Sequence, residues 1–177
     1  EDVRHETALV GLLRSGLLKR FESSAHAFSN TCRKMATQHQ LLLDAMDTGQ
    51  VIRKDFYKEC TAAEDLTDEE FQELLKESEH TEALNLYDAE RLRQDVQNDL
   101  ELLIEFADTA GAVRPENDPK LQALVEELVS LVAQARVDSN IDAEVRDNCK
   151  VLIFSYFTDT ALWIRRWLND VVEKDDR

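Results

Sequence analysis

Four consecutive large apolar residues, Val151-Leu152-Ile153-Phe154, constrain this chain more than any other stretch. They follow a polar run ending at Lys150 and precede Ser155-Tyr156-Phe157-Thr158-Asp159-Thr160, the pattern of a fully buried strand that leads into a capped helix. Nothing else in the sequence is strand-like, and one strand cannot make a sheet. Its neighbours lie outside these residues, or come from a second copy of the chain, or the stretch joins a longer helix from Glu144 to Val172. Val, Ile, Phe and Tyr favour the strand, so a strand-like segment is expected over Val151–Tyr156.

The remainder reads as helix. Only four Gly and two Pro occur in 177 residues, too few for the turns of an all-β chain. The expected fold class is mainly α: one helical bundle with long helices and the strand-like segment near the C-terminus. From Val3 to Thr48, Phe21, Phe28, Met35 and Leu42 share one heptad position, and Leu18, Ala25, Cys32, His39 and Met46 share another. That is the seam of one long helix, with Gly49 as the residue that ends it. Gln50 to Leu66 has no clean period and is expected to be a loop.

Thr67-Asp68-Glu69-Glu70 forms a capping box that opens a helix to about Ser78. A further helix is expected from about Asn85 to Ala110, with Ala89, Leu92, Val96, Leu100, Leu103, Phe106 or Ala107, and Ala110 on its buried face. Asp118-Pro119 marks another start, because Asp accepts from unpaired first-turn N–H groups and Pro at N1 has none to leave unpaired. The helix it opens carries Leu121, Leu124, Val125, Leu128, Val129 and Val132 on one side. Asp138 to Asn148 reads as a connector. Thr158 or Asp159 is expected to cap a last helix with Ile164, Trp167, Leu168 and Val171 inside.

Charge is unevenly spread. Residues 41–114 hold seven Lys/Arg against twenty Asp/Glu, whereas residues 1–40 hold six against four. A tract this acidic repels phosphate, so a broad nucleic-acid surface on these residues alone is excluded. Cys32, Cys60 and Cys149 form no C-x-x-C pair, which argues against a disulfide framework or zinc site and suits a reducing cytoplasm. No apolar run approaches the ~20 residues of a membrane span. Glu77-x-x-His80 has di-iron ligand spacing but lacks a second such pair, so no metal is expected. His5, His26 and His39 are isolated, and no cysteine has a His placed to activate it. Glu1 is not an initiator Met and the chain stops within a charged helical stretch, so it reads as a piece of a longer protein.

Three blocks carry a family resemblance. Lys150-Val151-Leu152-Ile153-Phe154-Ser155-Tyr156-Phe157-Thr158-Asp159-Thr160 resembles motif IV, which opens the second RecA-like lobe of Swi/Snf-type superfamily-two helicases. Asp118-Pro119-Lys120-Leu121 is similar to the start of the helix that precedes that strand in the family. Leu17-Leu18-Lys19-Arg20-Phe21-Glu22-Ser23-Ser24 looks like a segment that bacterial members carry between their two motor lobes. The order is the family's.

The resemblance implies that residues 1–149 are an inter-lobe helical region with an acidic insertion, and residues 150–177 the first strand and helix of the second helicase lobe. It implies nucleic-acid contact at Ser155, Phe157 and Thr158, and Lys19 and Arg20 are candidates to position phosphate. DNA and the missing lobes would be partners of the full-length parent, and ATP and Mg its cofactors. No G-x-x-x-x-G-K-[ST] and no acidic box are present, so these residues alone should have no cofactor and no ATPase activity. Two alternatives stand beside this reading. The acidic tract suits an interaction module for a basic protein, and the lone strand suits pairing between two copies of the chain.

Overall fold

The computed structural model describes residues 14–52, 81–139 and 141–175. Among them the chain is mainly α-helical, with six helices and one small sheet. Helix α1 is helical over residues 14–23, α2 spans Ala25–Asp47, α3 Ala89–Gly111, α4 Pro119–Asp138, α5 Asp142–Asn148 and α6 Thr158–Asp175. Strands β1 (Gln50–Ile52) and β2 (Thr81–Ala83) pair antiparallel, with Val51 opposite Glu82. Two compact units result, one from Glu1–Thr31 with Phe106–Arg177, the other from Cys32–Glu105.

The single long helix expected up to Thr48 is interrupted at Ser24. Backbone bonding runs on through it, with Ser24 N donating to Arg20 O at 3.0 Å and Phe28 N to Ser24 O at 3.1 Å. Ser24 Oγ, however, accepts from Ala27 N at 3.0 Å, as a helix-capping serine does. A serine can offer the backbone this local alternative, and here it takes it. The heptad seam is buried at Cys32 and Met46 but not at Leu18 and Phe21, each more than half exposed.

In the Cys32–Glu105 unit, Leu43 and Met46 of α2 form a core with Val96 and Leu100 of α3, and Ala36, Leu42, Leu84 and Leu92 pack around them. Gly49 ends α2 in the left-handed region at φ 80°, where a side chain would be strained. Its carbonyl accepts from Leu84 N at 2.9 Å, which joins the turn to a 3-10 turn at Leu84–Leu86. Arg93 closes on Asp47 at 2.6 Å. The loop expected from Gln50 is therefore a strand over its first three residues, with Val51 and Ile52 buried. The reason is a partner across the intervening residues that a local reading cannot see. Residues 53–66, the Thr67 capping box, its helix and Glu77-x-x-His80 lie outside the described residues.

The expected face of α3 is buried at Val96, Leu100, Leu103, Ala107 and Ala110, with Ala107 rather than Phe106 inside. In the other unit, Ala27, Ala107 and Ala110 are buried and Ser29 Oγ donates to Ala107 O at 2.7 Å. Phe28 meets Phe21 edge-on at 5.3 Å and Phe106 at 6.1 Å. Asp118 caps α4 as expected, its side chain accepting from Lys120 N and Leu121 N. Leu121 and Ala135 of α4 are buried, whereas Val129 is exposed. The expected connector contains α5, which packs against α4; Ala143-Glu144-Val145-Arg146 are adequate helix formers.

The expected buried strand is the main correction. Val151–Tyr156 is neither strand nor helix, and among the described residues it makes no backbone–backbone hydrogen bond. Exposure alternates along it: Val151 42%, Leu152 83%, Ile153 42%, Phe154 88%, with Tyr156 at 93%. Ile153 and Ser155 line a pocket together with residues of α6, and Leu152, Phe154 and Tyr156 face solvent. A strand is buried only by what pairs with and covers it, and among the described residues nothing does so here. The last helix also begins earlier than expected. Thr158 is its first residue, so Thr158 and Asp159 lie inside the first turn rather than before it.

Candidate functional site

The three resembling blocks meet in one polar cluster. From α1, Arg20 Nη1 reaches Asp159 Oδ2 of α6 at 3.1 Å, and its guanidinium lies 4.6 Å from the centre of the Phe157 ring. Both charged side chains are about one-third exposed, so solvent screens the pair and its net worth is on the order of 1 kcal/mol, ring contact included. Asn30 Nδ2 of α2 approaches the other oxygen of Asp159 at 3.5 Å. A first-turn carboxylate is already favoured at the N-terminus of α6. Arg20 and Asn30 use the same group to hold that end of the helix.

Next to it, Thr160 Oγ1 lies 2.8 Å from Ser23 Oγ and 2.9 Å from Ser24 Oγ. Thr160 has one hydroxyl hydrogen, so at least one serine must donate to it. Ser24 and Thr160 are both buried. Thr160→Val keeps the shape and removes the shared hydroxyl. It is expected to lower stability by about 1–3 kcal/mol, the cost of a buried polar group left without a partner, read as a reduced urea midpoint.

The Asp118 block enters from α4. Trp163 Nε1 donates to Asp118 Oδ2 at 3.3 Å, while Oδ1 of the same carboxylate caps α4. Lys120 Nζ donates to the carbonyl of Glu22 at the end of α1. The Trp163 indole stacks on the His26 imidazole, centroids 4.5 Å apart and planes within 6°. Burial pushes the His26 imidazole below its ordinary value; Asp159 pulls it back up and Arg166 adds to the lowering.

Arg20 and Phe157, named by the sequence, are brought together, and Arg20 is engaged within the chain. Lys19 is exposed on α1 and Thr158 is exposed at the start of α6. Ser155 is exposed, its hydroxyl donating to Phe157 O at 3.1 Å while Phe157 N approaches Ser155 Oγ at 3.3 Å. Asn30 and Trp163 were not named from sequence, His26 read only as an isolated histidine, and Thr160 only as the end of a block. Their sequence signal is that each lies on a helix within, or up to about two turns beyond, a resembling block.

Chemically the cluster joins helices. Its hydroxyls bond to one another, its carboxylates accept from Arg20, Asn30, Trp163 and first-turn N–H groups, and among the described residues of the cluster no nucleophile is paired with a base. Burial pushes the Cys32 thiol up, away from the reactive thiolate. Among the described residues no group of three His, Cys, Asp or Glu side chains could hold a metal ion, and no helix is long and apolar enough to cross a membrane. A pocket of about 280 Å³ lies beside α6, lined by Ile153, Ser155, Ala161, Ile164, Arg165, Leu168 and Asn169. The chain matches no family model, no curated protein and no solved structure.

Proposed function

We propose that this chain is the inter-lobe segment of a bacterial, cytoplasmic Swi/Snf-type DNA translocase, running into the first strand and helix of its second motor lobe. One observation carries the reading: residues as far apart as Ser24 and Thr160, separated by 136 positions, bond within a single cluster built from all three resembling blocks. The uncovered segment Val151–Tyr156 supports it, since it lies where the family's second lobe begins.

The role is mechanical. Arg20, Ser23, Ser24 and Asn30 hold the start of α6, so a displacement of the second lobe is passed to α1 and α2. Lys19, Ser155 and Thr158, exposed on this part of the chain, are the candidates to meet DNA phosphate in the parent. The sequence carries no phosphate loop, so ATP and Mg are expected to be held by the rest of the parent. ATP hydrolysis belongs to the rest of the parent. The test compares DNA-stimulated ATP hydrolysis by the purified 177 residues with that of the parent: activity in the parent only is expected, and activity in the isolated chain contradicts the proposal.

A second reading rests on the charge of residues 41–114, seven Lys/Arg against twenty Asp/Glu. It makes this tract a docking module for a basic protein, with a complex weakened by salt. Reversing those charges would abolish such a complex, and a complex that survives reversal contradicts it.

A further inference from the structure

We propose that His26 is a proton-sensitive latch, whose neutral imidazole lets Asn30 hold Asp159 and whose protonation releases that hold on the start of α6. The inference does not depend on the helicase reading. Asn30 Nδ2 lies 3.2 Å from His26 Nε2 and 3.5 Å from Asp159 Oδ1. An amide nitrogen only donates, so His26 Nε2 accepts and the ring carries its hydrogen on Nδ1. The opposite orientation of Asn30 would turn its carbonyl oxygen toward the Asp159 carboxylate. One amide thus bridges an imidazole and a carboxylate, and it can do so only while the imidazole is neutral.

Protonated Nε2 becomes a donor facing a donor. Asn30 then has to turn its oxygen to His26, which removes the amide hydrogens from Asp159 and leaves that carboxylate to Arg20 alone. The charged groups around His26 divide by element. Asp159 and Arg166 of α6 act on it directly and in opposite senses, Arg20 of α1 neutralises Asp159, and Asp118 at the start of α4 reaches it through the stacked Trp163. Stacking on Trp163 favours the cation, while burial opposes it and is the largest influence on the ring. With the folded value held below the ordinary 6.5, the neutral ring's contribution to stability is complete above about pH 6.5 and is lost as pH falls through the folded value.

The experiment is an NMR titration of the His26 ring in the full chain, paired with melting temperatures from pH 7.5 to 5.0 for wild type and His26→Phe. Phe keeps a ring on Trp163 and cannot take a proton. The expected midpoint is below 6.5, and wild type is expected to lose about 2–4 °C more than His26→Phe over the range, the shift of a modest interaction in a chain this long. A midpoint at or above 6.5, or parallel melting curves, overturns the proposal. Should His26→Phe not fold, Asn30→Ala decides: the loss of the donor raises the His26 midpoint if the bridge operates, and an unmoved midpoint refutes it.

Discussion

Asp118→Ala lowers the stability of the chain by about 2–3 kcal/mol, among the largest losses expected from any single polar substitution in it. The residue is 5% exposed and both carboxylate oxygens are used. Oδ1 accepts from Lys120 N at 2.9 Å and from Leu121 N at 3.4 Å, satisfying two first-turn donors of α4, and Oδ2 accepts from Trp163 Nε1 of α6 at 3.3 Å. Alanine removes the cap and leaves the indole N–H without its acceptor. Asp118→Asn separates the two roles, since its amide oxygen still caps α4 while its amide nitrogen cannot accept from Trp163. A loss near 1 kcal/mol is expected for Asn, read for both variants from urea midpoints by circular dichroism. Equal losses for Ala and Asn would show that the cap contributes little and the indole bond carries the effect.

Phe154→Asp has opposite consequences in two contexts. In this chain Phe154 is 88% exposed, and a charge there changes stability by less than about 0.5 kcal/mol. In a parent where the segment is an inner strand of the second lobe, the same carboxylate would be buried without a partner. It would cost about 3–5 kcal/mol and abolish DNA-stimulated ATP hydrolysis. Leu152→Asp, on the same side of the alternating segment, is expected to behave alike, whereas Ile153 lines the pocket beside α6. The urea midpoint of the chain and the ATPase rate of the parent check the two halves. A parent that tolerates aspartate at both positions carries no sheet over this segment.

The parts of the fold that were legible are those decided within a few residues. Asp118-Pro119 states a helix start locally, since acceptor and imino acid act on adjacent backbone groups, and the start lies where expected. The α3 face follows from a period sustained over six turns, and Gly49 ends α2 with the φ that favours glycine. What escaped depends on distant partners. Ser24 has the same local options as Ser23, and its bond to Thr160 lies across 136 positions. β1 is three residues long, too short to show a period, and exists because β2 pairs with it. Val151–Phe154 reads as interior because its side chains are apolar, but burial also requires a covering surface that the described residues do not supply.

The candidate site divides in the same way. Arg20 and Phe157 were identifiable because they lie inside resembling blocks, but their mutual contact was not. Sequence suggested Arg20 for phosphate; that its guanidinium also pairs with Asp159 and lies over Phe157 was not readable from it. His26 looked like an isolated histidine, and its stacking partner is set by how α2 and α6 pack within one unit. Periodicity identifies which side of a helix is inward, not which inward residues face each other.

The most direct test reads the coding sequence on both sides of these 177 residues. If the chain joins two motor lobes, the same reading frame carries a G-x-x-x-x-G-K-[ST] phosphate loop and an acidic Mg box upstream, and an arginine-bearing motif downstream. Stop codons or unrelated domains on both flanks would contradict the translocase proposal and leave the acidic docking module as the better account of residues 41–114.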